Sequence, residues 1–206
     1  MSIEPDLQSV TKQNFIQKVE KDLTSLKIKQ AKAKNAKVFV RYVFNYLHQN
    51  YLKNYFETAN FTQIITQKRY NCVSGTALIG YFLERLGYVC KYYETERHTF
   101  LMLQITPEDR ILVESTAFFS GGLIDNEEQI DIEFRKYQPI AQIQAIHLVG
   151  LQFYNEAVLA YRSQDYLKTL SLSNTAYHFY PSARHRALHQ QAKQLLLIEQ
   201  GYCKFH

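Results

Sequence analysis

Hydrophobic periodicity changes twice along this chain of 206 residues, and this change restricts the folds available to it. Apolar residues first recur at helical spacing, in a segment of about 11–30, in VFVRYVFNYLHQNYLKNYF and in about 71–86. Three short segments follow, YVCKYYE, HTFLMLQI and RILVEST, whose aromatic and β-branched residues predict strands. From about Pro139 the pattern is helical to the end. Helices, strands and helices in this order predict an α+β fold rather than a parallel βαβ sheet.

The same pattern predicts two regions. Residues 1–137 would form a domain with N-terminal helices and a small antiparallel sheet, and residues 138–206 a helical region packed on it. We expect TANFTQIITQKRY to be a loop or a short irregular segment, and FFSGGLIDNEEQIDIEF to be a loop. TPED is typical of a hairpin connection. Gly87 suits the C′ position of the third helix, and Pro181 suits the opening of the last helix.

Composition excludes several classes of protein. The 46% of hydrophobic and 14% of aromatic residues support a packed core and argue against global disorder. The N-terminus lacks the apolar core of a signal peptide, and no apolar run is long enough to span a membrane, so we expect a cytoplasmic protein without membrane contact. The net charge of +5 comes mostly from N-terminal lysines at helical spacing. A solvated helix face explains them better than a nucleic-acid surface.

The cysteines argue for free thiols. Cys72, Cys90 and Cys203 are odd in number and lack the spacing of metal ligands, so we expect neither a disulfide framework nor a metal or cofactor site. Cys72 directly precedes or opens the third predicted helix. A helix N-terminus carries partial positive charge and free N–H groups, which favour a thiolate. Taken alone, however, a lone cysteine is more often a buried structural residue.

Two polar residues in apolar strands suggest partners for this cysteine. His98 begins HTFLMLQI, and Glu114 lies in ILVEST, where an acid is costly to bury without a compensating group. One hypothesis is that Glu114 accepts a hydrogen bond from the His98 imidazole and orients it. The alternatives are a core or edge histidine and an acid on an exposed face. If 98–105 pairs with 110–116, the hypothesis requires an odd-numbered connection or a bulge, since a two-residue turn separates the two faces.

These blocks of sequence, YNCVSGTALIGYFLERLGY, RHTF and ILVESTA, resemble the Cys, His and acid blocks of the transglutaminase-like superfamily, which shares the papain-like fold. The resemblance covers about residues 35–125. It implies a core in which the helix bearing Cys72 packs on a small antiparallel sheet, with Cys72 as nucleophile, His98 as general base and acid, and Glu114 as orienting acid. The chain departs from the family at Glu114, where most members have Asp, and at Tyr70, where members often have Gly.

The resemblance implies cysteine-dependent hydrolysis or acyl transfer at an amide bond of a protein or peptide. The oxyanion would lie near the Cys72 backbone N–H, and Gln67, a short loop upstream, is a candidate second donor. The superfamily also contains inactive members, so the alternative is a scaffold for protein–protein interaction. A basic nucleic-acid adaptor is the third and least favoured interpretation.

The C-terminal stretch NEAVLAYRSQDYLKTLSLSNTAYHFYPSAR resembles one tetratricopeptide repeat. Ala157, Ala176 and Pro181 occupy its two small positions and its proline position, SQDY is the inter-helix turn, and Thr169 replaces the usual alanine. An isolated repeat cannot bury its own apolar face. We therefore expect a helical hairpin that supports the N-terminal domain, or else one that binds a protein partner.

Overall fold

A computed structural model describes residues 4–107, 109–117, 121–199 and 201 of the chain. The fold is α+β with a small antiparallel sheet, and the chain divides into two compact units, Met1–Ile143 and Gln144–His206. This boundary lies C-terminal to the predicted one, because residues 141–143 form a strand that pairs within the first unit. None of the helices in the described ranges combines the length and the apolar composition of a membrane-spanning segment.

The first unit combines helices with two sheets. Its helices are α1 (Glu4–Gln30), α2 (Ala36–Asn50), α3 (Phe61–Gln67), α4 (Cys72–Arg85) and α5 (Glu127–Lys136). Its strands are β1 (Asn54–Tyr55), β2 (Arg69–Tyr70), β3 (Val89–Glu94), β4 (Thr99–Thr106), β5 (Asp109–Val113), β6 (Leu123–Ile124) and β7 (Ala141–Ile143). The five-stranded antiparallel sheet has the order β6-β5-β4-β3-β7, and β1 and β2 form a separate parallel pair.

Helix α4 begins and ends at strong local signals. The Asn71 side chain accepts the Ser74 N–H at 2.9 Å, and the Ser74 hydroxyl accepts the Asn71 N–H at 3.0 Å, which is a reciprocal capping box. At the other end, Gly87 adopts φ +88° and donates to the Glu84 carbonyl, as predicted for a C′ glycine. The helix packs on β3 and β4 through an almost wholly buried apolar face.

Three segments differ from the sequence-based expectation. The segment predicted as irregular before Cys72 contains α3 and β2, because Asn60 and Gln63 form a second capping box that the apolar pattern does not display. The segment predicted as a loop at 118–134 contains β6 and most of α5. The helix was not predicted because its amphipathic run is short. Residues 118–120 lie outside the described part of the chain. The segment after Pro139 was predicted to be helical but begins with strand β7, because pairing with β3 outweighs the local preference of these residues for a helix.

The second unit is helical, with α6 (Ala145–Arg162), α7 (Tyr166–Phe179) and α8 (Ala183–Glu199). A short turn joins α6 to α7 at the predicted SQDY, and α8 begins two residues after Pro181. Ala157, Thr169 and Ala176 are completely buried, so these small side chains allow the helices to approach closely. The Thr169 hydroxyl is satisfied by the Asp165 carbonyl at 2.8 Å.

Candidate functional site

Cys72 is the first residue of α4, and its side chain is partly exposed. The first N–H groups of a helix have no intrahelical acceptor, so the Cys72 N–H is free to bind a ligand oxygen. The neighbouring Asn71 is buried, and its amide donates to the carbonyls of Glu57 at 3.3 Å and Ala59 at 2.8 Å. One side chain therefore caps the helix and ties the preceding loop to it, which fixes the position of the thiol.

His98 directly precedes β4 and is held by the turn from β3. The Thr95 N–H donates to the His98 carbonyl at 2.8 Å, and the His98 N–H donates to the Thr95 hydroxyl oxygen at 3.0 Å. Threonine is suited to this place because its hydroxyl can close a turn on a nearby backbone group. The backbone of His98 is thus anchored while its imidazole remains 22% exposed.

Glu114 directly follows β5, and a glycine loop closes on its backbone. The Glu114 N–H donates to the Gly122 carbonyl at 2.7 Å. Gly122 has φ +38°, and a Cβ there would lie 2.4 Å from the Phe44 ring, so only glycine fits without a shift. The closure leaves the Glu114 side chain largely buried, with 11% of it exposed.

The register of β4 and β5 places the two side chains on the same face. Leu101 pairs with Val113, so by continuation Glu114 lies opposite Phe100, two residues from His98. Thr106 pairs with Asp109, and the register shifts between Gln104 and Thr106. The hairpin therefore contains the irregularity that the hypothesis required, and that prediction is confirmed.

The three side chains that the sequence suggested converge in the structure. His98 Nε2 lies 2.5 Å from Glu114 Oε1, and the His98 ring also hydrogen-bonds with the Cys72 thiol. Because Nε2 is engaged by the carboxylate, Nδ1 is the nitrogen left to face the sulfur. Gln67, the candidate oxyanion donor, ends α3 with an exposed side chain, and its role stays a prediction.

Charge and hydrogen bonding shift the pKa values of Cys72 and His98 in the directions that favour an ion pair between them. Burial raises the pKa of the Cys72 thiol, but hydrogen bonds from His98 and Thr99 outweigh it, so the pKa lies below its usual value of 9.0. Burial lowers the pKa of His98, but hydrogen bonds with Cys72 and Glu114 raise it to about 10. The arrangement therefore favours the ion-pair form, a thiolate beside an imidazolium, over the neutral pair.

Thr99 is a further partner of the sulfur that the sequence did not reveal. Its backbone and its side chain both help to lower the pKa of the Cys72 thiol. The Thr99 hydroxyl is buried and has no hydrogen-bond partner among the described residues. A threonine in a strand is ordinary, and no sequence signal singled it out.

Short polar contacts hold the start of α4 against the sheet. The Ser115 hydroxyl donates to the Cys72 carbonyl at 3.4 Å, and the Thr76 hydroxyl donates to the Thr99 carbonyl at 3.2 Å. Gly75 makes this approach possible, because a Cβ there would lie 2.9 Å from both the Ser115 hydroxyl and the Tyr70 ring. The relative position of Cys72 and His98 is thereby set by the packing of α4 on β4.

Two tyrosines also border the site. The Tyr137 ring lies 5.9 Å from the His98 ring in a stacked arrangement, and burial and the Glu114 charge raise the pKa of its hydroxyl to about 12. Tyr55, on β1, is half-exposed, and burial together with the Cys72 charge raises its pKa. No sequence pattern connected either tyrosine with Cys72. The N-cap of α4 at Asn71, in contrast, can be recognised in the sequence from the Asn-x-x-Ser spacing.

The other cysteines differ from Cys72. Burial and the Glu84 charge raise the pKa of Cys90 to about 12, so its thiol stays protonated at neutral pH. Cys203 lies outside the described residues. Comparison with protein-family models and with curated protein sequences finds no match for this chain.

Proposed function

We propose that this protein is a cysteine-dependent enzyme that hydrolyses an amide bond of a protein or peptide, or transfers its acyl group. The observation that carries the proposal is the chain of contacts from Glu114 through His98 to the thiol of Cys72, with the thiol pKa lowered and the imidazole pKa raised. A nucleophile, a base within hydrogen-bond reach and a group that orients the base are the three parts of a thiol triad.

The first step is acylation of the sulfur. The Cys72 thiolate attacks the carbonyl carbon, a C–S bond forms, and the carbonyl electron pair moves to the oxygen. The Cys72 N–H, at the positive end of α4, is placed to donate a hydrogen bond to that oxyanion, and Gln67 is the proposed second donor. The His98 imidazolium gives its Nδ1 proton to the leaving amine, the C–N bond breaks, and an acyl-thioester remains.

The second step releases the acyl group. Neutral His98 takes a proton from water or from an acceptor amine, which attacks the thioester while the C–S bond breaks and the thiolate re-forms. Glu114 holds the ring in one orientation and balances the imidazolium charge in both steps. Water gives hydrolysis and an amine gives transfer, so the nature of the second nucleophile separates the two activities.

The fold supports a transglutaminase-like, papain-like core. The helix that bears Cys72 packs on an antiparallel sheet whose consecutive strands bring His98 and Glu114, which is the arrangement that the resemblance implies. The substitution of Glu for Asp is accommodated, since the Glu114 carboxylate reaches Nε2. Tyr70, in the place of a glycine, is buried against Gly75 and next to Tyr55.

The direct test is acylation by p-nitrophenyl acetate. We expect a burst of p-nitrophenolate and an acetyl group on Cys72, located by peptide mass spectrometry. Cys72→Ser should remove the burst and Cys90→Ser should retain it. Added hydroxylamine should divert the acetyl group to a hydroxamate if an amine is accepted. A burst that survives in Cys72→Ser, or acetylation that favours Cys90, would refute the proposal and favour a non-catalytic scaffold.

A further inference from the structure

Two buried hydroxyl groups, those of Thr76 and Ser115, connect α4 with β4 and with the end of β5. Each of the two residues is 1% exposed. The Ser115 hydroxyl donates to the Cys72 carbonyl at 3.4 Å. The Thr76 hydroxyl donates to the Thr99 carbonyl at 3.2 Å, and its oxygen lies 3.4 Å from the oxygen of Ser115. This hydroxyl pair is therefore one buried polar cluster that joins a helix to two strands.

The Thr76 hydroxyl departs from the usual behaviour of a hydroxyl inside a helix. Such a group commonly donates to the carbonyl four residues earlier in its own helix. That local bond is present at Thr24, Ser25, Thr66, Thr169 and Thr175. For Thr76 the carbonyl four residues earlier is that of Cys72, yet its donor is Ser115, and Thr76 itself donates to Thr99 on β4. A bond within the helix is thus replaced by two bonds between elements.

Each member of the proposed triad has its backbone at one of these contacts. The Cys72 carbonyl itself accepts the Ser115 bond. The acceptor of the Thr76 bond is the carbonyl of the residue directly after His98. Ser115 is the residue directly after Glu114. The hydroxyl pair therefore connects the three backbone segments that carry the nucleophile, the base and the orienting acid.

We propose that Thr76 and Ser115 are positioning residues for the triad, which fix the separation between the Cys72 thiol and the His98 ring by tying α4 to both strands. This inference rests on the proposed function of Cys72. Both hydroxyls act through backbone groups and take no part in the bond-making steps. A nucleophile and its base must be held closely, since a displacement of about 1 Å can cost about a hundredfold in rate.

The test uses Ser115→Ala and Thr76→Val, which remove one hydroxyl each with little change in shape. We expect each variant to slow the p-nitrophenyl acetate burst roughly tenfold. The acid limb of Cys72 alkylation by iodoacetamide should also move to higher pH. A longer distance from the thiolate to the His98 imidazolium weakens their attraction, so the thiol keeps its proton to a higher pH.

Thr169→Val is the matched control, because it removes a completely buried hydroxyl that makes the ordinary bond within its helix. It should change neither the burst rate nor the pH profile of Cys72. Thr76→Ser keeps the hydroxyl and should react at about the wild-type rate, which separates the hydrogen bond from the shape of the side chain. The alkylation rate of Cys90 should stay low in every variant, since that thiol becomes reactive when the domain unfolds.

The outcomes separate this inference from the proposed function. If wild type gives the burst on Cys72 and both Ser115→Ala and Thr76→Val match it, the inference is overturned and the proposed function stands. A folded Thr76→Ser variant that reacts as slowly as Thr76→Val would also overturn the inference. If wild type gives no burst on Cys72, the proposed function is overturned and the inference fails with it.

Discussion

The surroundings of Cys72 and of Cys90 differ although both cysteines are partly exposed, one as the first residue of helix α4 and the other against the middle of that helix. Cys72 opens the helix, next to its free N–H groups, and its sulfur meets His98 and Thr99. The Cys90 sulfur faces the Gly80 carbonyl at 3.9 Å in the middle of the same helix and feels the Glu84 charge. His98 lowers the pKa of Cys72, whereas burial and the Glu84 charge raise the pKa of Cys90, so the two values move in opposite directions. Exposure alone does not define a reactive cysteine.

The largest expected effect on this comparison comes from removal of the imidazole. His98→Ala deletes the partner that supplies both a hydrogen bond and a positive charge to the thiolate. We expect the alkylation rate of Cys72 at pH 6 to fall about a hundredfold, towards that of Cys90. Peptide mass spectrometry after timed quenching measures both rates. His178→Ala, which removes an exposed histidine of the second unit, is the control and should change neither rate.

A smaller effect is expected from Glu114→Gln, which preserves the shape of the side chain and removes its charge. The His98 ring keeps a hydrogen-bond partner, but its imidazolium form loses a counter-charge, so its pKa should fall towards the usual value. We expect the Cys72 rate at pH 6 to fall roughly tenfold. Glu128→Gln, at an exposed position on α5, is the matched control. Equal Cys72 rates in the two variants would show that Glu114 does not act on the Cys72–His98 pair.

The smallest effect concerns the helix terminus. Asn71→Ala removes the N-cap of α4 and two hydrogen bonds to the preceding loop, one of them buried, so the free energy of unfolding should fall by about 1–3 kcal/mol in urea titrations. The Cys72 rate should fall a few-fold, with no change at Cys90. Asn35→Ala removes the exposed N-cap of α2 and should cost about 1 kcal/mol without affecting Cys72. A lower Cys72 rate in Asn35→Ala would indicate a general loss of structure instead.

Much of the site was predictable because its residues lie where elements begin or end. Cys72 follows an N-cap signal, His98 starts an apolar strand, and Glu114 is an acid in an apolar context, so each contrasts with its neighbours in sequence. Their order along one helix and two consecutive strands then limited how far apart they could lie. The bulge that aligns His98 with Glu114 could only be stated as a requirement, since pairing register depends on both strands.

The remainder depends on contacts that no local pattern records. Tyr137 reaches the site because α5 packs on the sheet, and the sequence pattern predicted a loop through most of that helix. Thr99 acts on the Cys72 thiol only because α4 packs on β4, where the Thr76 hydroxyl donates to the Thr99 carbonyl. The strand β7 forms through pairing with β3 and carries no strong strand signal of its own. Tertiary packing decides all three.

The most direct measurement is the wild-type alkylation rate of each cysteine by iodoacetamide over a wide pH range. The pKa of Cys72 is lowered from the usual thiol value of 9.0, so its reactivity should persist to lower pH than that of an ordinary thiol. Cys90, with a pKa of about 12, should react only in strong alkali. Two profiles that rise together near pH 9, or a Cys90 rate that exceeds the Cys72 rate at neutral pH, would contradict the account.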